Sequence, residues 1–237
     1  MKNFTVLKKM LFVIGISCMA SSINAQEESK LTVTPSADIV SNYVWRGVYQ
    51  TGAAIQPSLT FGYGGFSLGA WGSTDFSTTA KEFDLSLGYQ SGGFSIMATD
   101  YWWAGEGAKY GDYSSNHYFE GSVGYSFGED CPLSITWSTM LGFDGDKDAS
   151  GDQQFSTFVE LGYDVNVDGV LFTPSIGVSP WTGMYHKAGT DGFALCTVSL
   201  KASKEVEITD KFSLPIFGQV VIAPNQDNVF LVFGVSL

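Results

Sequence analysis

The sequence predicts an all-β protein, a closed antiparallel transmembrane β-barrel of about 12 strands with both termini on the periplasmic side. Hydrophobic residues alternate with polar ones, at the strand period of two, in segments of roughly ten residues. The polar positions carry mostly Ser, Thr and Gly rather than Lys and Glu, which suits a narrow wet interior. Short turns alternate with longer polar connections, as in outer-membrane barrels.

The segment Ile55–Trp71 shows the repeating unit. Leu59 and Phe61 fall on one face of its first strand, and Gly64-Gly65 supplies a two-residue turn, since both glycines adopt positive φ readily. Leu59 and the equivalent Leu85, Val123 and Leu161 are predicted to face outward. The predicted strands are 31–45, 53–63, 66–76, 81–91, 94–102, 116–128, 133–143, 153–164, 170–180, 192–203, 211–222 and 228–237.

The first 25 residues read as a cleaved signal peptide, and residues 26–237 as the barrel domain. Lys2, Lys8 and Lys9 precede the short apolar run Met10–Ile16, and Ala25 ends a cleavage site. The run is too short to span a bilayer, and no 18-residue apolar run follows it. These features predict export to the outer membrane of a Gram-negative cell.

The net charge of the chain restricts the classes of partner that the protein can bind. Twelve basic residues stand against 24 acidic ones, for a net charge of −12, which argues against nucleic-acid binding. We expect contacts with outer-membrane lipid, lipopolysaccharide and the outer-membrane assembly machinery, and passage of a small cationic or neutral solute.

No cofactor or metal is predicted. The acidic run Asp144, Asp146, Asp148 and Asp152 lacks the Gly and Glu positions of an EF-hand loop and reads as a solvated loop. The mature cysteines, Cys131 and Cys196, have no metal-binding spacing, and we expect two free thiols.

A tripeptide ending in Gly-Tyr closes alternate strands before short turns. Tyr63, Tyr89, Tyr125 and Tyr163 are therefore predicted to lie level at the inner membrane interface, where a tyrosine keeps its ring in hydrocarbon and its hydroxyl in water. The preceding glycine is predicted to leave room inside the barrel.

The segment Ser41-Asn-Tyr-Val-Trp-Arg-Gly47 carries the most specific pattern. It resembles the S-x-Y-x-[FW]-R-G signature of the Gcw-type conserved hypothetical proteins, a family of bacterial outer-membrane proteins. Gly47 through Pro57 and Phe66–Trp71 extend the likeness over roughly the first 50 mature residues. The resemblance implies an outer-membrane barrel and no particular substrate.

Arg46 is the only arginine of the chain, and strand parity places it inward. An inward guanidinium needs a carboxylate partner. Asp38 would lie roughly 26 Å away on a continuous strand, so Asp75 and Glu120 are the candidates by height, ahead of Glu160. Such a cluster either braces the lumen or forms a selectivity constriction. The full set of lumen candidates is Asp38, Asn42, Arg46, Asp75, Asp84, Glu120, Glu160 and Lys201.

Two other classes stay open beside a porin-like channel or a structural membrane protein. An outer-membrane hydrolase would need His117 or His186, but neither lies in a nucleophile motif and Gly-x-Ser-x-Gly is absent, so we expect no enzyme. A secreted lectin-like β-sandwich would use exposed tryptophans as sugar platforms. The barrel instead assigns Trp102, Trp103 and Trp181 to the outer aromatic belt.

Two features of the sequence do not fit uninterrupted strands with regular alternation. Pro35, Pro57, Pro174 and Pro215 fall inside predicted strands and imply bulges or misplaced strand ends. In the fifth strand, Met97 and Asp100 fall on the unexpected faces.

The barrel predicts a membrane-integral protein. The folded chain should stay in the membrane pellet after carbonate extraction, and unboiled samples should migrate differently from boiled ones on gels. Recovery in a soluble periplasmic or extracellular fraction would favour the sandwich instead.

Overall fold

A computed structural model describes residues 30–76, 81–104, 107–142, 145–210 and 212–237. The predicted signal peptide and Asp144 lie outside these residues. The regular structure is β apart from a 3-10 turn at Pro224–Gln226. Within the described ranges, no helix is long and apolar enough to cross a membrane.

The strands form one closed antiparallel barrel of twelve wall strands, which confirms the predicted all-β barrel and its strand number and rules out the sandwich. Neighbours in sequence are neighbours in the wall, and two pairings, β1 with β15 and β10 with β12, complete the ring. β10 and β11 together make one bent wall strand, and β2–β3 is a separate hairpin. The bounds are β1 Thr32–Val40, β2 Tyr43–Trp45, β3 Val48–Thr51, β4 Ala54–Tyr63, β5 Phe66–Asp75, β6 Lys81–Ser91, β7 Phe94–Ala104, β8 His117–Ser126, β9 Leu133–Met140, β10 Thr157–Tyr163, β11 Val165–Val167, β12 Val170–Ser179, β13 Ala194–Thr209, β14 Phe212–Ala223 and β15 Asn228–Ser236.

The first predicted strand is wrong at its end. It was expected to run from 31 to 45, but β1 leaves the wall after Val40 and the chain re-enters the sheet only at Ala54. The segment between them, residues 41–53, contains the β2–β3 hairpin and is called the inward hairpin below. Residues 41–45 were assigned to the first wall strand because Tyr43–Trp45 does form a strand, β2, of this separate hairpin.

The two barrel ends differ as predicted. At the short-turn end, Gly64 and Gly65 take φ values of 56° and 87° and close the β4–β5 hairpin. The N-terminal part of β1 also lies at this end, since Thr32 pairs with Gly62. The opposite, long-loop end carries the inward hairpin and the connections from β5 to β6, β7 to β8, β9 to β10, β12 to β13 and β14 to β15.

The outer wall is apolar. Leu59, Leu85, Val123 and Leu161 are exposed, as the alternation predicted, while Ser122 and other polar neighbours face inward. Exposure of so many large apolar side chains along a closed wall is what a hydrocarbon solvent requires. The tyrosines of the repeated motif are also exposed on this wall: Tyr63, Tyr89, Tyr125 and Tyr163.

The glycine of the repeated motif makes room for a neighbouring hydroxyl. A Cβ at Gly62 would lie 2.7 Å from Thr32 Oγ1, and one at Gly88 would lie 2.7 Å from Ser67 Oγ. Gly124 meets Ser95 in the same way. The pattern therefore has a steric cause, in which a hydroxyl on the adjacent strand occupies the space of the missing side chain.

The four strand prolines need neither bulges nor misplaced ends. Each lies where the ladder is missing on one side, so no hydrogen bond is lost. Pro35 and Pro215 lie beyond the paired stretches that β15 makes with β1 and β14. Pro57 faces a gap in the β4–β5 ladder, and Pro174 faces the break between β10 and β11.

The register predicts which side chains a membrane-restricted label can reach. Single cysteines at Leu59 or Leu85 should react with a bilayer-soluble maleimide in a Cys131→Ser background, because both side chains point outward. Cysteines at Ser58 or Ser86, one residue earlier or later on the same strands, should react only with small water-soluble reagents. The reverse pattern would show that the register is wrong.

Candidate functional site

The inward hairpin crosses the lumen near the long-loop end. On one side, the Trp45 ring packs 5.5 Å from the Tyr101 ring of β7. On the other, Gly47 lies so close to β13 that a Cβ there would come within 2.6 Å of Cys196 O. β7 and β13 are almost opposite each other in the ring of wall strands. A segment that touches both therefore occupies the barrel interior.

The tip of the hairpin is a two-residue turn formed by Arg46 and Gly47. Their φ values are 51° and 83°, and positive φ at both central residues is typical of a type I′ turn. Gly47 adopts this conformation freely, whereas a non-glycine residue in the left-handed region costs about 1–2 kcal/mol. The contacts of the Arg46 side chain must therefore offset local backbone strain.

Arg46 forms a bidentate ion pair with Glu120 of β8. Nη1 and Nη2 donate to the two carboxylate oxygens at 2.5 and 2.9 Å, and the side chains are 5% and 1% exposed. Glu120 Oε1 also accepts hydrogen bonds from Tyr101 Oη at 3.0 Å and from Ser122 Oγ at 3.1 Å. Glu120 is one of the two partners that the sequence indicated, and the structure selects it over Asp75.

Aromatic rings surround the guanidinium. Its carbon lies 4.6 Å from the Trp45 ring centroid, 5.0 Å from that of Phe158 and 5.3 Å from that of Tyr185. Nη1 also donates to the hydroxyl of Tyr185. Cation–π contacts of this kind are strongest where water is excluded. We call the group Trp45, Arg46, Tyr101, Glu120, Phe158 and Tyr185 the lumen latch.

Tyr185 reaches the latch from the connection between β12 and β13. It is 1% exposed, and its carbonyl accepts hydrogen bonds from Asn225 and Gln226 at 2.7 and 3.1 Å. Met184 N donates to Ser156 Oγ in the connection between β9 and β10. Three connections of the long-loop end thus meet around Met184 and Tyr185, and Tyr185 contacts the inward hairpin.

The other predicted lumen residues are distributed along the wall. Asp38 lies beside Ser236 and within electrostatic reach of Lys201, whose ammonium also lies 4.3 Å from the Phe217 ring. Glu160 faces the lumen near Arg46 and accepts a bond from Ser175 at 3.5 Å, so it is not the direct partner. Asp75 and Asp84 are buried on the inner face of β5 and β6.

Asn42 is a correction. It was predicted on the inner face of the first strand, but it lies in the connection after β1, and its amide donates to Leu231 O of β15 at 2.8 Å. The 26 Å separation expected between Asp38 and Arg46 also assumed a continuous strand that the structure does not have.

Sequence reasoning missed several lumen residues. Glu82 is buried on the inner face of β6, two residues before Asp84, and the same parity argument would have found it. Trp103 was assigned to the outer belt, yet its ring packs against Trp45 at 5.4 Å and Tyr101 at 5.7 Å inside the barrel. Tyr185 gave no signal, because an inserted loop leaves no periodic pattern.

The two histidines hold loops in place. His117, 1% exposed, bonds Asp100 Oδ1 through Nδ1 and Tyr110 O through Nε2, both at 2.8 Å. The Tyr113 ring stacks on it at 4.0 Å. The outward Asp100 that broke the alternation is thus covered by the connection between β7 and β8. His186 accepts from Gly183 N at 3.2 Å and contacts Gly192 O at 2.9 Å.

The acidic loop is more ordered than predicted. Asp146 is buried and accepts bonds from Ser156 N and Gln153 Nε2 at 2.9 and 2.8 Å. Burial raises its pKa, against the lowering effect of these bonds. Asp148 accepts from Asp152 N at 2.9 Å. Among the residues that the structure describes, no cluster of three metal-binding side chains exists.

The cysteine prediction is confirmed. Cys131 is an exposed free thiol and Cys196 a buried one.

Comparison with known proteins adds no family. No protein-family model matches this chain, and no curated protein matches it either.

The latch predicts a measurable loss of stability. Arg46→Ala leaves Glu120 buried without a cation, which typically costs about 3–5 kcal/mol. The pair is nearly inaccessible to solvent, so lumen water should weaken this effect little. Arg46→Lys should restore only part of the loss, because lysine lacks the bidentate fork. Urea unfolding in detergent, followed by tryptophan fluorescence, measures both.

The control is Lys187→Ala, which breaks the exposed pair with Asp227 at the same barrel end and should change stability little. The double variant Arg46→Ala with Glu120→Ala should be more stable than Arg46→Ala alone, since it removes the unpaired charge. Equal stability of Arg46→Ala and the wild type would contradict the latch.

Proposed function

We propose that this protein is an outer-membrane β-barrel that passes small cationic or neutral solutes, with the inward hairpin as its gate. The closed wall with its apolar exterior and polar interior supports the membrane location. The resemblance of residues 41–47 to the Gcw-type signature is consistent with it.

The observation that carries the proposal is the charge of the lumen. The described inner wall bears many more carboxylates than cations, and an acidic lining attracts cations and repels anions. Its cations are Arg46 and Lys201, and its acids are Asp38, Asp75, Glu82, Asp84, Glu120 and Glu160.

The hairpin lies across this path. Passage requires the tip to leave its position between β7, β8 and β13, and the latch is the set of contacts that opposes this movement. A gate of this kind needs two positions that differ by a few kcal/mol. The strained turn at Arg46 destabilises the position of the hairpin in the lumen, and the ion pair with Glu120 stabilises it.

A closed structural barrel is the second candidate. The observation that favours it is the completeness of the latch, in which Glu120 accepts bonds from Arg46, Tyr101 and Ser122. A fully paired buried network rigidifies its surroundings. In that case the hairpin is a permanent brace.

Planar-bilayer recording separates the two candidates. The wild type should show rare, small openings, and a variant with residues 42–52 replaced by a Gly-Ser linker should conduct steadily. Arg46→Ala should open more often than Lys187→Ala. Reversal potentials in a potassium chloride gradient should show preference for potassium. A folded hairpin-replacement variant that conducts no ions would support the structural barrel.

A further inference from the structure

The inner face of β6 carries two neighbouring carboxylates on which no lysine or arginine of the described residues acts. Glu82 and Asp84 are two residues apart, and their side chains therefore point the same way. They are only 9% and 8% exposed. The groups that act on them in the described part of the chain are Tyr43, Trp103, the backbone of Trp102 and further acids.

This pair differs from the other charged groups of the lumen. Glu120 has Arg46, and Asp38 faces Lys201. Asp84 Oδ1 and Asp38 Oδ1 are both buried without a hydrogen-bond partner among the described residues, but the groups that act on Asp84 there include no lysine or arginine. Two adjacent buried carboxylates repel each other and lose their hydration, so a positive group from outside the chain would stabilise them strongly.

A cavity adjoins the pair. Its volume is about 130 Å³, and it lies between the inward hairpin and the wall formed by β5, β6 and β7. The exposed Lys81 stands at its rim near the long-loop end. A cavity of this size takes a single small group, since sites for drug-sized ligands are roughly 300–1,000 Å³. Its lining residues are Tyr43, Gln50, Thr51, Ser73, Lys81, Glu82, Trp103 and Ala104.

The walls are aromatic as well as acidic. Trp103 lines the cavity, and its indole also interacts with Glu82. Tyr43 lies against both carboxylates and meets the Trp71 ring edge-on at 5.6 Å. Aromatic faces beside a carboxylate bind organic ammonium groups through cation–π attraction combined with charge pairing. Calcium instead prefers six to eight oxygen ligands, and the described residues hold no three-ligand metal cluster.

We propose that this cavity, lined by Glu82, Tyr43 and Trp103 and with Asp84 next to Glu82 on the same face of β6, binds the ammonium group of a small organic cation. Glu82 supplies the counter-charge at the cavity surface, and Asp84 supplies the second negative charge next to it. The inference goes beyond the proposed function, because binding here requires no movement of the hairpin and no passage through the barrel.

Titration of the whole chain, folded in detergent micelles, tests the site. Methylammonium chloride and tetramethylammonium chloride should each produce a saturable change in tryptophan fluorescence and in calorimetric heat, because Trp103 lines the cavity. The neutral tert-butyl alcohol should give no saturable change at the same concentrations. Sodium chloride at matched ionic strength controls for screening.

Glu82→Gln should weaken ammonium affinity at least about tenfold, because it removes the charge with almost no change in shape. Trp103→Leu should weaken it several-fold, and Trp103→Phe should recover part of the loss through its ring. The matched control is Glu160→Gln, which neutralises a half-buried lumen carboxylate that does not line the cavity and should leave affinity unchanged. Heat-dependent gel mobility verifies that every variant is folded.

Three outcomes would overturn the proposal. The first is the absence of saturable binding by either ammonium ion, which would leave the carboxylates to share a proton. The second is binding by calcium alone, which would identify a metal site. The third is equal affinity in Glu82→Gln and Glu160→Gln. None of these bears on conductance, so failure of the gate and failure of the binding site remain distinguishable.

Discussion

The pairing of Arg46 with Glu120 inside the lumen determines how residues 41–53 fold. A guanidinium cannot lie in hydrocarbon or in a dry interior without a carboxylate, and the chain has a single arginine. For Arg46 to reach Glu120 on β8, the chain must leave the wall after β1 and turn inward. The turn brings Trp45 against Tyr101 and Tyr185 and places Gly47 against β13. One ion pair thus fixes the hairpin, its aromatic packing and the narrowing of the lumen.

The inward turn has a consequence for barrel closure. Since β1 ends at Val40, the half of β15 nearest the long-loop end pairs with β14 on one side and has no paired wall strand on the other. Ser41 and Asn42 take the place of the missing ladder. Ser41 N donates to Phe233 O, Ser41 Oγ accepts from Phe233 N, and Asn42 Nδ2 donates to Leu231 O. The short polar residues that begin the Ser41–Gly47 motif are therefore needed at the seam, where a buried backbone group without a partner would be costly.

Most of the wall could be predicted because its determinants are local. Period-two alternation, Gly-Gly turns and the Gly-Tyr strand ends each act within a few residues, and β6 has the bounds the pattern indicated. The lumen required information from distant elements. Nothing in the sequence around Tyr185 shows that its loop enters the barrel, and residues 41–45 continue the alternation of the first wall strand. Even so, the need of a sole arginine for a carboxylate led to Glu120 as one of two candidate partners, although the strand parity used for Arg46 assumed a continuous strand, because charge compensation is a constraint that the whole fold must satisfy.

The same constraint separates the roles of the lumen carboxylates. Where the chain supplies a cation, as at Glu120, the pair closes a network and its effect is on stability. At Glu82 and Asp84 no cation of the described chain pairs with the carboxylates, so burial of their negative charge destabilises the folded state. A barrel can carry neutral side chains at such positions without this cost, and many inward positions of this lumen are Ser or Thr. Two adjacent acids that stay uncompensated beside a cavity with aromatic walls therefore point to a ligand that brings the missing charge, and they place the chemistry of this barrel between the hairpin and β6.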